Sequence, residues 1–290
     1  MTSNKQKNPL VYCLENGMLK LDGGAMFGVV PKTMWNEVYP SDEKNMVSLS
    51  MRSLLIIDDN RKILIDTGIG DKQDNKFFSH YQRTGTETIT ESLKQAGYTP
   101  DEITDVFLTH LHFDHCGGCL TLDSNGKPVP VFKNAVYSVG RRQWNCALEP
   151  NRLEKASFRK ENFLPLHEAG VLKLIDVEGF LSPSVEVRFF DGHTIGQAVF
   201  LIHSRANTLV HVADVIPVAA HIPVPYICAY DIQPLLTVTE KESLLNESVR
   251  NKYTLFFGHD AHTECCTVIK TEKGYRPGRN LTVTEWMNEQ

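Results

Sequence analysis

The sequence predicts a mixed α and β fold whose strands deliver polar residues to one edge, and three observations carry that reading. Short apolar runs end in histidine or aspartate: Val106-Phe107-Leu108 leads into His110, Val185 to Phe190 into His193, and Thr208 to Ala213 into Asp214. Segments with helical apolar spacing stand between such runs, as at Ile89, Leu93 and Ala96. Both halves of the chain follow one plan, strands followed by helix, which is how α/β proteins set chemistry at the carboxyl ends of strands.

Composition narrows the class. The chain has 290 residues, 41% hydrophobic and 22% charged, enough apolar material for a substantial core. A net charge of -5 without any basic run argues against nucleic acid as a partner. Seven cysteines, an odd number spread from Cys13 to Cys266, do not read as a disulfide framework and point to a reducing compartment. A polar start and no apolar stretch of spanning length make a cytoplasmic protein without a membrane partner the expectation.

Within residues 10–50, Gly23-Gly24 and Gly28 flank Ala25-Met26-Phe27. That pattern turns the backbone sharply and presents Met26 and Phe27 either to the core or to a substrate as a wall. Leu54 to Asp58 and Lys62 to Asp66, split by Asp59-Asn60, read as a β-hairpin buried on both faces. Asp66 at its end reads as a turn cap, or as an acceptor that orients a metal-bound histidine. A helix is expected from Thr86 to Ala96 and a strand from Ile103 to Leu108. Cys116 and Cys119 have Cys-x-x-Cys spacing but no second pair, so they read as reduced packing residues. Asp123 to Pro130 is rich in turn formers, and Ala135 to Val139 reads as a strand.

Residues 140–168 mix Trp144, Phe158, Phe163 and charges without clean periodicity. Helices on a partly mobile surface are expected there, as a lid or as the contact of a homodimer. Strands follow over Val185 to Phe190, Ala198 to His203 and Thr208 to Ala213, with His211 on the opposite strand face from Asp214. The loop from Val215 to Tyr226 carries three prolines that forbid regular structure, and it offers His221 and Tyr226 to a substrate. Thr239 to Val249 reads as a helix opening on Thr239 and Glu242. Tyr253 to Phe257 is a strand that delivers Gly258-His259, and Cys265 to Lys270 is a late edge strand before a polar tail.

The densest chemistry lies in His110-Leu111-His112-Phe113-Asp114-His115, followed by Gly117-Gly118. In an extended segment alternate side chains share a face, so His110 and His112 point to one place while Asp114 and His115 turn toward another. That arrangement suits two metals side by side. Imidazole and carboxylate favour zinc, with manganese, iron or cobalt also accommodated. Four ligands are too few to close two sites, and His193, Asp214 and His259 are the further candidates downstream.

His110-x-His112-x-Asp114-His115, Gly192-His193, Ala213-Asp214 and Gly258-His259, in that order, resemble the metallo-β-lactamase superfamily. The resemblance runs from Asp66-Thr67-Gly68 to His259. It implies an α+β fold in one domain over 1–290, an αββα sandwich of two mixed β-sheets with helices on the outer faces. Residues 1–50 would be an N-terminal extension contributing to the substrate wall. Position by position, the resemblance implies one metal on His110, His112 and His193 and another on Asp114, His115 and His259. Asp214 would bridge them, and Asp66 would orient a ligand from behind.

Leu21 to Pro31 and the proline-rich loop after Asp214 look like the branch of N-acyl-homoserine lactonases and methyl parathion hydrolase. Some of those lactonases carry a tyrosine three residues after the bridging aspartate, and here that place is Pro217. Polarising the carbonyl then falls to another group, Tyr226 or a metal alone.

The expected chemistry is attack by a hydroxide bridging two divalent ions on the lactone or ester carbonyl of a small molecule. Coordination lowers the pKa of water toward about 7, and Asp114 is the candidate to pass a proton to the leaving alkoxide. The alternatives are a phosphotriesterase or arylesterase of the methyl parathion hydrolase type, or a thioesterase of the glyoxalase II type. Outside hydrolysis stand a di-iron redox protein, which usually has Glu where His112 stands, and a binding module without catalysis.

Overall fold

The computed structural model describes residues 8–85 and 88–289. In chain order its strands are β1 (Leu10–Asp22), β2 (Met46–Asp58), β3 (Arg61–Ile65), β4 (Asp105–Phe107), β5 (Leu120–Leu122), β6 (Pro128–Pro130), β7 (Val136–Gly140) and β8 (Leu172–Ile175). They continue as β9 (Gly179–Phe180), β10 (Val185–Phe190), β11 (Gln197–His203), β12 (Thr208–His211), β13 (Thr254–Phe256), β14 (Cys265–Thr271) and β15 (Gly274–Leu281). One sheet has the order β1-β2-β3-β4-β7-β8 and a second the order β15-β14-β13-β12-β11-β10-β9, while β5 and β6 pair apart from both. The first sheet is antiparallel across β1, β2 and β3 and parallel from β3 to β8. In the second, only β12 and β13 run parallel.

Strand alternation explains why the sheets stack. Leu54, Ile56, Ile63 and Ile65 point from the first sheet toward Phe200 and Ile202 of the second, forming a shared apolar layer. The intervening Leu55 and Leu64 point the other way, onto Leu93 of the helix Ile89–Gln95. In the second sheet Val199 and Leu201 face outward beneath Leu244 and Leu245 of the helix Pro234–Asn251. Strands apolar on both faces need cover on both faces, and the result is helix, sheet, sheet, helix, the αββα sandwich. Each such fully buried Leu or Ile stabilises the fold by roughly 1.5–3 kcal/mol, so truncating Leu64 to alanine should cost about 2–5 kcal/mol.

The expected hairpin is β2 and β3, turning at Asp59 with φ 54°. Of the helix expected from Thr86, Ile89–Gln95 forms behind a capping box of Thr88 and Glu91, while Thr86 and Glu87 lie outside the described residues. β1 is an edge strand of the first sheet, so residues 10–22 are integral to it.

Three expectations are corrected. The long helix begins at Pro234, ahead of Thr239, because a proline in the first turn lacks only an N–H that would have no helical partner there. Thr239 then lies inside the helix and its hydroxyl donates to Leu235 O (3.1 Å). β14 is not an edge strand, since β15 pairs beyond it, and the tail goes on to the helix Val283–Asn288, which buries Trp286. The aromatics of 140–168 do not lie on a mobile surface: Trp144, Phe158 and Phe163 are buried in the layer outside the first sheet. No helix among the described residues is long and apolar enough to cross a membrane.

Candidate metal centre

The chain after β4 carries His110 and His112, and the short helix Phe113–Cys116 carries Asp114 and His115. Gly117-Gly118 behind it allow close approach: a Cβ on Gly117 would sit 2.1 Å from Ile69 O, and one on Gly118 2.2 Å from Thr67 O. The chain after β3 is thereby pressed against the cluster, where Thr67 N donates to His115 O (2.8 Å). His193 follows β10 and His259 follows β13, while Asp214 stands on a single turn after β12 that opens with Ala213 at φ 46°. Gly192 serves proximity, since its Cβ would lie 2.5 Å from Thr237 Cα on the long helix. The second sheet is tied to β2 at this edge by Ser50 N donating to His259 O (3.0 Å) and Arg52 N to Gly258 O (2.9 Å).

All seven residues singled out from the sequence converge. Atoms of His110, His112 and His193 that could ligate lie within 4.8 Å of one another, as do those of Asp114, His115 and His259, and those of His110, His115 and Asp214. Asp214 divides its oxygens between the groups. Its Oδ1 lies 3.4 Å from both His115 Nε2 and His259 Nε2, and its Oδ2 lies 3.4 Å from His193 Nε2 and 3.9 Å from His110 Nε2. Asp114 Oδ2 is 3.7 Å from His259 Nε2.

The outward ring nitrogens are held from behind. Asp66 accepts from Thr109 N (2.8 Å) and the Thr109 hydroxyl (2.7 Å) and pairs with His115 Nδ1 (2.9 Å), so it orients His115. His193 Nδ1 meets Asp231 Oδ1 (2.9 Å), His259 Nδ1 donates to Ser50 O (2.9 Å), and His110 Nδ1 lies 3.0 Å from the Thr109 hydroxyl. The sequence did not single out Asp231. It stands in an irregular stretch with no periodicity around it, and only its contact with His193, 38 residues away, sets it apart. Glu154, buried 3.7 Å from His112 Nε2, was missed for the same reason, whereas Thr109, adjacent to His110, lay within the motif itself.

This arrangement fits cations. A carbonyl oxygen only accepts, so His259 Nδ1 carries a proton and its Nε2 looks inward, 2.9 Å from His115 Nε2. Asp114 and Asp214 border the same space, 3.7 and 3.4 Å from His259 Nε2. His110 Nε2 and Asp214 Oδ1 are buried with no hydrogen-bond partner. Imidazole and carboxylate converging in this way match a pair of divalent ions.

The charged groups of the cluster act strongly on one another. Burial pushes His110 well below its usual value, and the neighbouring imidazoles of His115 and His112 add to this. For His115 burial acts in the same direction, but the carboxylates of Asp214, Asp66 and Asp114 outweigh it and hold the group well above. Burial would raise Asp214, yet His115 and His259 keep it ionised, well below the usual carboxylate range.

The cluster opens into a cavity of about 200 Å³, whose apolar lining includes Leu21, Met26, Leu49, Phe113 and Leu153. Tyr81, Tyr230 and Pro217 also line it. Of the four residues expected to touch substrate, Met26 does face this cavity. Phe27 and His221 do not: Phe27 is stacked between Trp35 (5.0 Å) and His221 (4.7 Å) behind the wall, and His221 Nε2 meets Met26 O (2.7 Å). Aromatic packing explains this, since both rings find their partners inside the protein. Tyr226 faces a separate cavity with Tyr39 and Met34. The buried Lys241 ammonium fixes the proline-rich loop by donating to the carbonyls of His221 (3.0 Å), Pro223 (3.3 Å) and Tyr226 (2.6 Å).

Cys116 and Cys119 are buried and unpaired, and burial pushes the Cys119 thiol up to about 12, so they pack rather than react.

The sequence profile described as the Metallo-beta-lactamase superfamily matches residues 52–263. An N-acyl homoserine lactonase of Bacillus thuringiensis is 26% identical over 232 residues, covering 76% of this chain and 84% of that protein. A probable metal-dependent hydrolase from Staphylococcus aureus superposes with a TM-score of 0.83 at 28% identity, over 96% of this chain and 100% of the other. AidC, a dizinc quorum-quenching lactonase, superposes with a TM-score of 0.79 at 20% identity, over 96% of each chain.

Proposed function

Because the chain belongs to the metallo-β-lactamase superfamily, we propose that it is a metal-dependent hydrolase that opens the ring of N-acyl homoserine lactones. The observation that carries the hydrolase reading is Asp214, whose two oxygens are shared between two groups of imidazoles. His110, His112 and His193 would hold one divalent ion, Asp114, His115 and His259 a second, and Asp214 would bridge them, with zinc the favoured metal. Bound there, the pair would supply Lewis acidity and acidify a water at neutral pH.

The chain's own residues supply the rest. Asp66 and Asp231 fix the rings of His115 and His193, so the ligand lone pairs stay aimed inward. Asp114, on the cavity wall, would take the proton of the attacking water and hand it to the alkoxide that leaves when the ring opens. Met26, Leu21 and Leu153 give an acyl tail an apolar surface. Pro217 cannot donate to a carbonyl, and Tyr226 lies in another cavity, so the phenols of Tyr81 and Tyr230 are the donors within reach of a substrate. Seven unpaired cysteines suit a reducing, cytoplasmic setting.

The lactone preference rests on the curated relatives together with the apolar wall. It is tested by comparing kcat/KM on acyl-homoserine lactones, aryl esters, phosphotriesters and glutathione thioesters. The lactones should be turned over best. A triester or thioester preferred by tenfold would overturn the lactonase reading and leave the hydrolase intact.

A further inference from the structure

Of the five imidazoles in the centre, four have an outward nitrogen in contact with Thr109, Asp66, Asp231 or the Ser50 carbonyl, at 2.9–3.0 Å. His112 differs. Its Nδ1 points inward, 3.3 Å from His193 Nε2, and its Nε2 is buried without a hydrogen-bond partner. Facing that Nε2 at 3.7 Å is Glu154 Oε1, which is also buried and also without one. A donor position and an acceptor stand opposite each other just beyond hydrogen-bond length.

We propose that Glu154 is the positioning residue for His112, accepting the N–H of its Nε2 and so reserving Nδ1 as the lone pair offered to a metal beside His110 and His193. This rests on the reading of the cluster as a metal centre. It gives the two neighbouring histidines opposite assignments: Thr109 holds His110 by Nδ1 and leaves Nε2 inward, while Glu154 holds His112 by Nε2 and leaves Nδ1 inward. An imidazole offers either nitrogen unless the other is fixed.

The surrounding loop is built to aim this carboxylate. Asn151 Oδ1 accepts from Leu153 N (2.8 Å) and Glu154 N (3.0 Å), and Asn151 Nδ2 donates to Glu154 Oε2. One oxygen is thus satisfied and the other left for His112. Glu154 O accepts from Ser157 N (2.8 Å), and Ser157 O accepts from Phe113 N (3.0 Å), which binds the loop to the residue after His112. The Phe158 ring lies 4.7 Å from the imidazole of His112. A carboxylate offers only acceptor oxygens, so Glu154 can take the His112 N–H but has none to supply. Residues 151–158, which looked from the sequence like a mobile surface, are on this account the back support of one ligand.

The test titrates zinc alone into metal-free protein against a chromophoric chelator. Wild type should show two sites. Glu154→Ala should weaken one site by about 10- to 100-fold and leave the other within about threefold, and Glu154→Gln, which keeps an acceptor, should fall between. A folded Glu154→Ala protein with both affinities unchanged, or both weakened alike, overturns the proposal. Should that variant not fold, histidine ¹⁵N NMR of zinc-loaded wild type decides: the proposal expects His112 protonated on Nε2 and ligated through Nδ1, and the reverse assignment overturns it. Wild type that binds no zinc would overturn the metal reading itself, whereas two tight sites untouched by Glu154→Ala would overturn this inference alone.

Discussion

Around the ligand cluster, His115, His193 and His259 each have an outward nitrogen fixed at 2.9 Å by a carboxylate or a carbonyl. In the cavity beside it, Leu21, Met26 and Leu49 offer apolar side chains held by packing, and the largely exposed Leu153 lines it too. The two regions tolerate change differently. A hydrogen-bonded frame loses its geometry when one partner is removed, and the buried groups left behind are costly. A packed wall accepts swaps of similar volume at less than about 1.5 kcal/mol. Such a molecule can keep its bond-breaking chemistry constant while the substrate range shifts.

The sharpest break should come at the shared carboxylate. Asp214→Asn should drop the metal content below two per chain and cut kcat/KM by more than about 100-fold, beyond the usual loss from an outer partner. Elemental analysis and lactone turnover on one preparation check both. Next come the supports: Asp66→Asn and Asp231→Asn should each lower metal affinity by about 10- to 100-fold. Chelator competition should show them acting on different sites, since they hold His115 and His193. If both weaken the same site, the division of ligands is wrong.

A smaller effect is expected at the wall. Met26→Ala removes a side chain whose burial against substrate is worth roughly 1.5–3 kcal/mol at most. KM for a long-chain acyl lactone should rise several-fold while kcat stays within about twofold. Loss of kcat with KM unchanged would mean that Met26 supports the cluster rather than the substrate.

The smallest effect concerns the ring stack behind that wall. Burial lowers His221 from its ordinary 6.5 to about 3, so the folded protein holds it neutral. Below pH 6.5 the unfolded chain takes up a proton that the folded one refuses. Its contribution is therefore complete above pH 6.5 and is lost as pH falls toward 3. Urea unfolding of wild type and His221→Gln between pH 7.5 and 4.5 should show a shallower pH slope in the variant. Equal slopes would contradict the neutral assignment.

The same two regions differ in how well the sequence foretold them. The hairpin of β2 and β3, the strands before His110, His193 and His259, and the clustering of the histidines and aspartates were all legible, because burial on both faces leaves continuous apolar runs and these polar residues follow strand ends. The helix start at Pro234 and the strand β15 were not: a proline and an alternating, half-exposed segment look like loop. Asp231 and Glu154 were invisible because their partners lie far off in the chain. The wall was half legible. Glycines flagged Met26, but only the fold places Phe27 and His221 behind it and brings Tyr81, Leu153 and Tyr230 to line the same cavity.

One titration reaches the central claim directly. Protein stripped of metal by a chelator should have no lactonase activity, and adding zinc or cobalt should restore it up to about two equivalents per chain and no further. Stripped protein that hydrolyses lactones at the full rate, or recovery complete at one equivalent, would contradict two ions held by His110, His112, Asp114, His115, His193, Asp214 and His259.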